Sequence, residues 1–353
     1  QRDAIAAPAS GLLIYQTNST PGFYYYDGSA WKELAATSYA AGTGISIAGN
    51  LITNTAPDKV VTIAPATNMT VTGSYPNFAL GFISSPWFAG GNAGTNPSAN
   101  FIGTTDAQPL SFRVNNVRAG YLDFTGNNNS ALGYQGLIAN TTGFYNAAFG
   151  YNTLAANKKG GRNTAIGAYA LTVNNADNNT AIGTYALSAN VNGIGNVATG
   201  VNALSQNTSG DYNAAYGTNS LYTNTSGDEN TASGYGALFS NISGKDNAAF
   251  GKYALYSNTA DYNTALGFNA MFFNTSGTNN TATGSIALQN NTTSSNNTAN
   301  GYAALYSNNG GNENTAIGTS SLYANILGSH NTATGFGSLN KNTADDNTAN
   351  GAY

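Results

Sequence analysis

The chain has no cysteine, so neither a disulfide framework nor thiol chemistry is open to it. That fits an exported protein whose fold does not depend on redox state. Charge is scarce as well: Asp, Glu, Lys and Arg make up 7% of 353 residues, against roughly 25% in an ordinary globular protein. Solubility must therefore come from Asn, Thr, Ser and Tyr. With 11 basic residues and a net charge of −4 there is no basic stripe, which makes nucleic acid a poor partner. Long apolar runs are missing too. The longest near the start, Leu12-Leu13-Ile14-Tyr15, is far too short to cross a bilayer, so no membrane span is expected. The chain starts without a signal peptide and stops inside a repeat, and both ends read as cut from something longer.

What the sequence has instead is a repeat. From Asn129 onward a five-residue word occurs fourteen times, opening with Asn, with Ala third and Gly last. Examples are Asn163-Thr164-Ala165-Ile166-Gly167 and Asn314-Thr315-Ala316-Ile317-Gly318. Successive glycines, from Gly133 to Gly351, lie 17 residues apart in ten intervals and 16 in three. A leucine follows four residues after the glycine (Leu137, Leu154, Leu171), with Met271 the one replacement, and an asparagine follows after seven (Asn140, Asn157, Asn174). A short period kept this long means a repeat architecture. Gly, Asn, Thr and Ser weaken helix interiors, and no 3.6-residue apolar stripe survives, so helical repeats are excluded. Seventeen residues suit two short strands and two turns, one rung of a parallel β-solenoid. At the spacing of adjacent strands, fourteen rungs make a rod of roughly 65 Å.

Positions that never vary indicate the interior. The word alanine and the leucine form two internal ladders, and the glycine marks a bend or close approach that a Cβ would block. The asparagine ladders have two readings, a stack of internal amides or turn residues tolerating left-handed angles. The three short intervals lose their residue in one turn, giving Asn175-Ala176-Asp177-Asn178, Thr259-Ala260-Asp261-Tyr262 and Thr343-Ala344-Asp345-Asp346. They recur every fifth rung, as duplicated blocks would. The residue before the glycine ranges over Leu132, Phe149, Ile166, Thr199, Tyr216 and Asn300. No closed interior accepts that range of volumes, so this row faces outward. Aromatics such as Tyr151, Tyr169, Phe239, Tyr256, Phe272, Tyr306 and Tyr323 also exceed what a thin rod can bury, which points to contact surfaces and a homo-oligomer.

Upstream, residues 1–36 read as a small β element: strand Leu12–Tyr15, turn Asn18–Gly22, then a hairpin through Asp27-Gly28 to Trp31. Residues 37–85 read as short fibre strands at Ile45–Ile47, Leu51–Thr53, Val60–Ile63 and Met69–Thr72. Residues 86–128 read as a connector around Trp87, Phe101 and Leu110–Val114, and 129–353 as the array.

Chemistry-bearing residues are few. His330 beside Ser329 would need an orienting carboxylate and an oxyanion site to act. Asp177, Asp261 and Asp345 would need several further oxygens each to hold calcium, and the glycine-rich nonapeptide of calcium β-rolls is missing, so turn formation is favoured. Arg113 and Arg118 could pair with an acid such as Asp123, with structural packing favoured over catalysis. The word threonines (Thr164, Thr180, Thr231, Thr264, Thr281) could make an ice-binding ladder, but Ala147, Val197, Ala214 and Ala248 interrupt it. No catalytic, cofactor or metal site is expected.

The word and its sequel, Asn163-Thr164-Ala165-Ile166-Gly167-Ala168-Tyr169-Ala170-Leu171, are similar to the head repeat of trimeric autotransporter adhesins. That resemblance covers roughly 129–353 and implies a parallel β-roll packed as three chains around one axis. It departs in having Thr and Ala where the adhesins often have Ser and Val, and polar Asn300 and Asn350 before the glycine. Gln1–Ile5, Gly11–Thr17, Pro21–Tyr26, Gly42–Ile45 and Ser111–Asn116 resemble tail-fibre-like surface proteins of Bacteroidota, in which such segments precede long repeat arrays. The resulting expectation is a non-enzymatic, extracellular or cell-surface fibre, trimeric by resemblance, giving reach and contact with a receptor or glycan. The alternatives are the tail fibre of a bacteriophage or contractile injection system and, more remotely, an ice- or glycan-binding solenoid.

Overall fold

The computed structural model describes residues 2–17, 21–33, 45–48, 51–54, 69–74, 77–82, 93–96 and 101–352. Residues 18–20 of the expected turn Asn18–Gly22, the expected strand at Val60–Ile63 and the Trp87 region lie outside the described residues. The chain divides into two compact units, Gln1–Ile102 and Gly103–Tyr353.

The first unit carries two antiparallel sheets. Strands β1 (Leu13–Gln16), β2 (Gly22–Tyr26) and β3 (Trp31–Glu33) form a meander. The turn into β3 is built by Asp27, whose Oδ1 accepts from the Ser29 and Ala30 amides at 2.8 Å each, while Gly28 takes φ +98°. Those amide bonds hold the Asp27 carboxyl down to about 2. Cross-strand ring contacts, Tyr15–Phe23 at 4.8 Å and Tyr26–Trp31 at 5.5 Å, tie the meander together. Strands β4 (Ile45–Ala48), β5 (Leu51–Asn54), β6 (Met69–Ser74) and β7 (Asn77–Phe82) pair in the order β4-β5-β7-β6.

The second unit is one sheet of sixteen strands in sequence order. It opens with a hairpin, β8 (Leu110–Val114) and β9 (Val117–Asp123). Asn115 and Asn116 turn it at φ +47° and +59°, the positive pair that a type I′ turn demands. β9 lies antiparallel on β10 (Asn129–Leu132), so part of the expected connector caps the array. Thirteen three-residue strands follow in parallel register, from β11 (Ala147–Phe149) to β23 (Thr348–Asn350). Every word alanine pairs with the next, as Ala148 with Ala165 and Ala165 with Ala181. The array is therefore a parallel β-solenoid, as the period requires.

Each rung departs from the expected two strands. Only the word is a strand; the leucine arc is a chain of turns. In it the second and fourth residues after the glycine are left-handed, such as Asn152 (φ +53°) and Leu154 (φ +48°). The reason is the tightness of the loop. Alternating right- and left-handed residues bend the chain while still aiming N–H groups along the rod: Asn152 donates back to Tyr134 O at 2.9 Å and Leu154 forward to Ala170 O at 3.1 Å. A left-handed leucine costs roughly 1–2 kcal/mol. Burying its side chain completely, as at Leu154 and Leu171, returns about 2 kcal/mol, besides the backbone bonds.

The interior is narrow. It holds the word alanines, the leucines and a third ladder three residues after the glycine, never larger than threonine (Thr153, Ala170, Ala186, Ser220). The word glycines have φ between +121° and +145°, as at Gly167 and Gly267. A Cβ on Gly133 would collide with Gly150 O, and one on Gly301 would stand 2.6 Å from the Gly318 carbonyl. Bend and close approach therefore act together.

The asparagines resolve in favour of internal amides. In the outer ladder Asn207 Nδ2 donates to Asn190 Oδ1, Asn224 to Asn207 and Asn241 to Asn224, at 2.8, 2.8 and 2.9 Å. Word asparagines accept the amide of the next word on Oδ1, as Asn163 N to Asn146 at 3.0 Å. Both ladders also converge on one turn carbonyl: Asn196 and Asn207 donate to Gly210 O at 2.8 and 2.9 Å. These side chains are fully buried, so each bond replaces water that cannot enter. The short turns rewire this network. There the word asparagine bonds the outer one of its own rung, as Asn263 to Asn258 and Asn347 to Asn342, both 3.2 Å. The ladder below is interrupted, leaving Asn241 Oδ1 and Asn325 Oδ1 without partners.

Candidate docking surface

With the interior uniform, functional differences lie in the outward rows. The residue before the word glycine is exposed, as expected: Leu132, Phe149, Ile166, Ile182, Tyr216 and Phe250 all present apolar surface. Beside this column, Tyr134 and Tyr151 stack at 5.3 Å, and Tyr169 and Tyr185 at 4.9 Å. Crowding of the neighbouring phenols excludes water from the Tyr169 hydroxyl, which raises its pKa, with the Tyr151 hydroxyl adding to the effect. The leucine arc carries a second aromatic ladder. Tyr222, Phe239, Tyr256 and Phe272 stack with centroids 5.1, 5.0 and 5.0 Å apart. Lys252 lies 5.0 Å from the Tyr253 ring centre and 5.9 Å from that of Tyr235.

The polar candidates take structural places. Asp177, Asp261 and Asp345 each accept a backbone amide from the rung before: Gly161 N at 2.7 Å, Lys245 N at 2.8 Å and Ser329 N at 2.7 Å. They stitch rungs together. Ser329 turns its hydroxyl to the Asn312 amide at 3.1 Å. His330 stands exposed between Glu313 (3.4 Å) and Asp346 (3.6 Å), its neighbours on adjoining rungs. Among the described residues no group of three or more His, Asp or Glu could hold a metal ion, and no helix is long and apolar enough to cross a membrane.

Arg113 and Arg118 take packing roles, as favoured, but with partners other than Asp123. Arg118 donates to Gly136 O (3.1 Å) and Leu137 O (2.7 Å) and lies over the Tyr121 ring at 4.9 Å. In later rungs the carbonyl equivalent to Gly136 O accepts from the leucine amide of the rung before, as Thr153 O does from Leu137 N. The first rung has no such predecessor, and the guanidinium takes that place, while Leu137 O accepts it alongside the Asn140 amide. Arg113 bonds Asn116 at 3.0 Å, and Asp123 accepts from Thr125 N and Oγ1 at 2.9 and 2.7 Å. Sequence reasoning also missed the third interior ladder, although its restriction to small residues was visible.

Comparison with known proteins bears on the first unit. Residues 1–50 match the family described as a phage tail like trimerisation region. No curated protein and no solved structure matches the chain. The fold and this match together point to a structural, oligomeric β-solenoid protein rather than a catalyst.

Proposed function

We propose that this chain is part of a trimeric fibre of a phage-tail-like device, held as three parallel copies through its N-terminal region, with the solenoid as a stiff spacer and contact rod. The observation that carries the reading is the match of residues 1–50 to a phage tail like trimerisation region, in a chain that from Asn129 onward is a fourteen-word parallel solenoid. The rod suits that task, because each rung is fixed to the next by strand bonds, buried amides and close-packed glycines, and length is added without changing the interior. The upstream apolar column, from Leu132 to Ile182, is where parallel copies would meet.

The test is the mass in solution. The full chain should run at about three times its 36.1 kDa, and removal of residues 1–50 should return a single copy. A monomer at micromolar concentration for the full chain would reject the reading. A bacterial cell-surface adhesin is the second reading, favoured by the likeness of the repeat word to adhesin heads. It shares the extracellular setting and the rod, and differs in what anchors the fibre. Neighbouring baseplate genes would favour the tail device; a secretion-sorting segment in the full reading frame would favour the adhesin.

A further inference from the structure

We infer that the downstream rungs form a binding face for a linear, neutral, β-1,4-linked polysaccharide, with Phe268, Tyr302 and Phe336 as stacking platforms. The inference rests on the contact role proposed above and is independent of copy number. The residues immediately after the word glycines read Phe268, Ser285, Tyr302, Thr319, Phe336 over five successive rungs. Aromatics occupy alternate rungs, with a small hydroxyl residue between, and all three are about half exposed, at 48, 56 and 52%.

Elsewhere the rod places aromatics on successive rungs, where each ring covers the next. In the leucine arc Phe239, Tyr256 and Phe272 follow that pattern at 5.0 Å per step. In the downstream row a Ser or Thr intervenes, so neighbouring rings cannot cover one another in that way. Two rungs span about 9–10 Å, close to the disaccharide length of a β-1,4-linked pyranose chain. Such a chain turns over at each sugar and shows the same ring face at every second one. Platforms on alternate rungs therefore meet equivalent faces of the chain.

The neighbouring columns fit the same ligand. Thr264, Thr281, Thr298, Thr315, Thr332 and Thr348 follow one another without interruption, in register along the sheet. All are exposed except half-buried Thr315. Thr283, Asn300 and Thr334 add outward hydroxyl and amide groups. None of these columns carries a charge from Thr264 to Phe336, which favours a neutral, hydroxyl-rich partner over an anionic one. Upstream, Tyr235 continues the alternation by one step, but with the charged Lys252 over its ring in place of a small hydroxyl residue. Beyond it the pattern fails, because Ala168, Thr184, Val201 and Thr218 supply no aromatic and Tyr134 and Tyr151 stack on successive rungs. A second copy of the chain would gain nothing from alternate spacing, and the projecting rings spoil a flat threonine face for ice.

The experiment uses the full chain, with retention on insoluble cellulose and chitin and titration with their soluble oligosaccharides. An α-1,4-linked glucose oligomer serves as the control. Retention on at least one β-1,4-linked polymer, and not on the control, is expected. Phe268→Ala, Tyr302→Ala and Phe336→Ala together should weaken it at least about tenfold. The paired exchange Phe268→Ser and Ser285→Phe keeps composition but breaks the alternation, and should also weaken it. Tyr302→Phe should keep binding and Tyr302→Thr lose it, which guards against misfolding of the triple variant. No retention of the native chain on either polymer overturns the inference. So does undiminished binding by the exchanged pair, or loss of oligomer mass in the triple variant, which would mean a second copy covers this face. Ice shaping without polysaccharide retention overturns it as well. The mass of the native chain tests the trimer separately.

Discussion

The rungs up to Phe250 and those from Thr264 onward share one interior and wear different exteriors. Upstream, the column before the glycine is mostly large and apolar, with Leu132, Phe149, Ile166, Ile182, Tyr216 and Phe250. Downstream, Thr283, Asn300, Thr334 and Asn350 predominate. The column two residues earlier is broken by Ala147, Val197, Ala214 and Ala248 upstream, and is all threonine downstream. Alanine, leucine and asparagine columns run through both halves, with Met271 the one replacement and the short turns the only breaks in the amide ladder. The difference teaches that stacking fixes only what faces inward. An outward residue meets its rung neighbours and solvent, so it is free to specialise, and the two halves have specialised apart.

The strongest test of a shared interior is the glycine column. Gly183→Ala and Gly301→Ala should each cost about 3 kcal/mol or more, because the Cβ meets the next carbonyl and glycine alone tolerates these angles. The added Cβ would collide with Gly200 O in the first variant and stand 2.6 Å from the Gly318 carbonyl in the second. Calorimetric melting of both variants should show similar losses. A mild effect in either half would mean that its rungs can spread, and the two interiors would not be equivalent.

The amide ladder gives the next largest effect. Asn224→Ala and Asn291→Ala each remove a buried side chain that bonds both neighbours: Asn224 lies 2.8 Å from Asn207 and 2.9 Å from Asn241, and Asn291 lies 2.7 Å from Asn274 and 3.1 Å from Asn308. Each orphans one donor and one acceptor, so a loss of roughly 2–3 kcal/mol is expected in denaturant unfolding. Unequal losses would locate the weaker half.

Much of this could be read from the sequence. Invariant Gly, Ala and Leu at fixed intervals specify rungs, because one misfit repeats its clash at the neighbours. The outward column was legible for the converse reason, its tolerance of Phe149 and Asn300 alike. The left-handed leucines were not legible, since nothing in leucine's chemistry advertises a positive φ; closure of a 17-residue loop imposes it. The partners of Arg118 were hidden for a similar reason. They are backbone carbonyls of the first rung, Gly136 O lacking the donor that a preceding rung would bring, and no residue type marks them. The alternation of Phe268, Tyr302 and Phe336 lay in plain view but gained meaning only once the rung spacing was known.

The short turns offer a gain rather than a loss. Inserting glycine between Ala260 and Asp261 converts that turn to the long form and should restore the amide contact that leaves Asn241 Oδ1 unpartnered. A stabilisation of about 1 kcal/mol is expected in denaturant unfolding. No gain would show that the short turn is strain-free, and that the interruption between the halves carries no cost.

The smallest effect separates the halves by acid. Upstream, the rung-to-rung ties in the turns use carboxylates, as where Asp211 N donates to Asp228 Oδ1 at 3.0 Å. Downstream they are largely neutral, with Ser295, Asn312 and Ser329 accepting instead. For Asp228, partial burial pushes the carboxyl up, but the bond from Lys245 at 2.6 Å and the Asp211 amide outweigh it and leave the pKa lowered. A depressed carboxylate contributes stability in full above its unfolded value, near 3.8, and loses it as pH falls through the lower folded value. Lys245 is exposed and Asp228 only partly buried, so water screens the pair and the contribution should stay below about 1 kcal/mol. Unfolding of the native chain and Asp228→Asn should therefore differ slightly at pH 6 and converge toward pH 2, whereas Asn312→Ala should cost the same at both. A difference that persists in acid would mean that Asp228 acts through its shape and not its charge, and the chemical contrast between the two sets of ties would vanish.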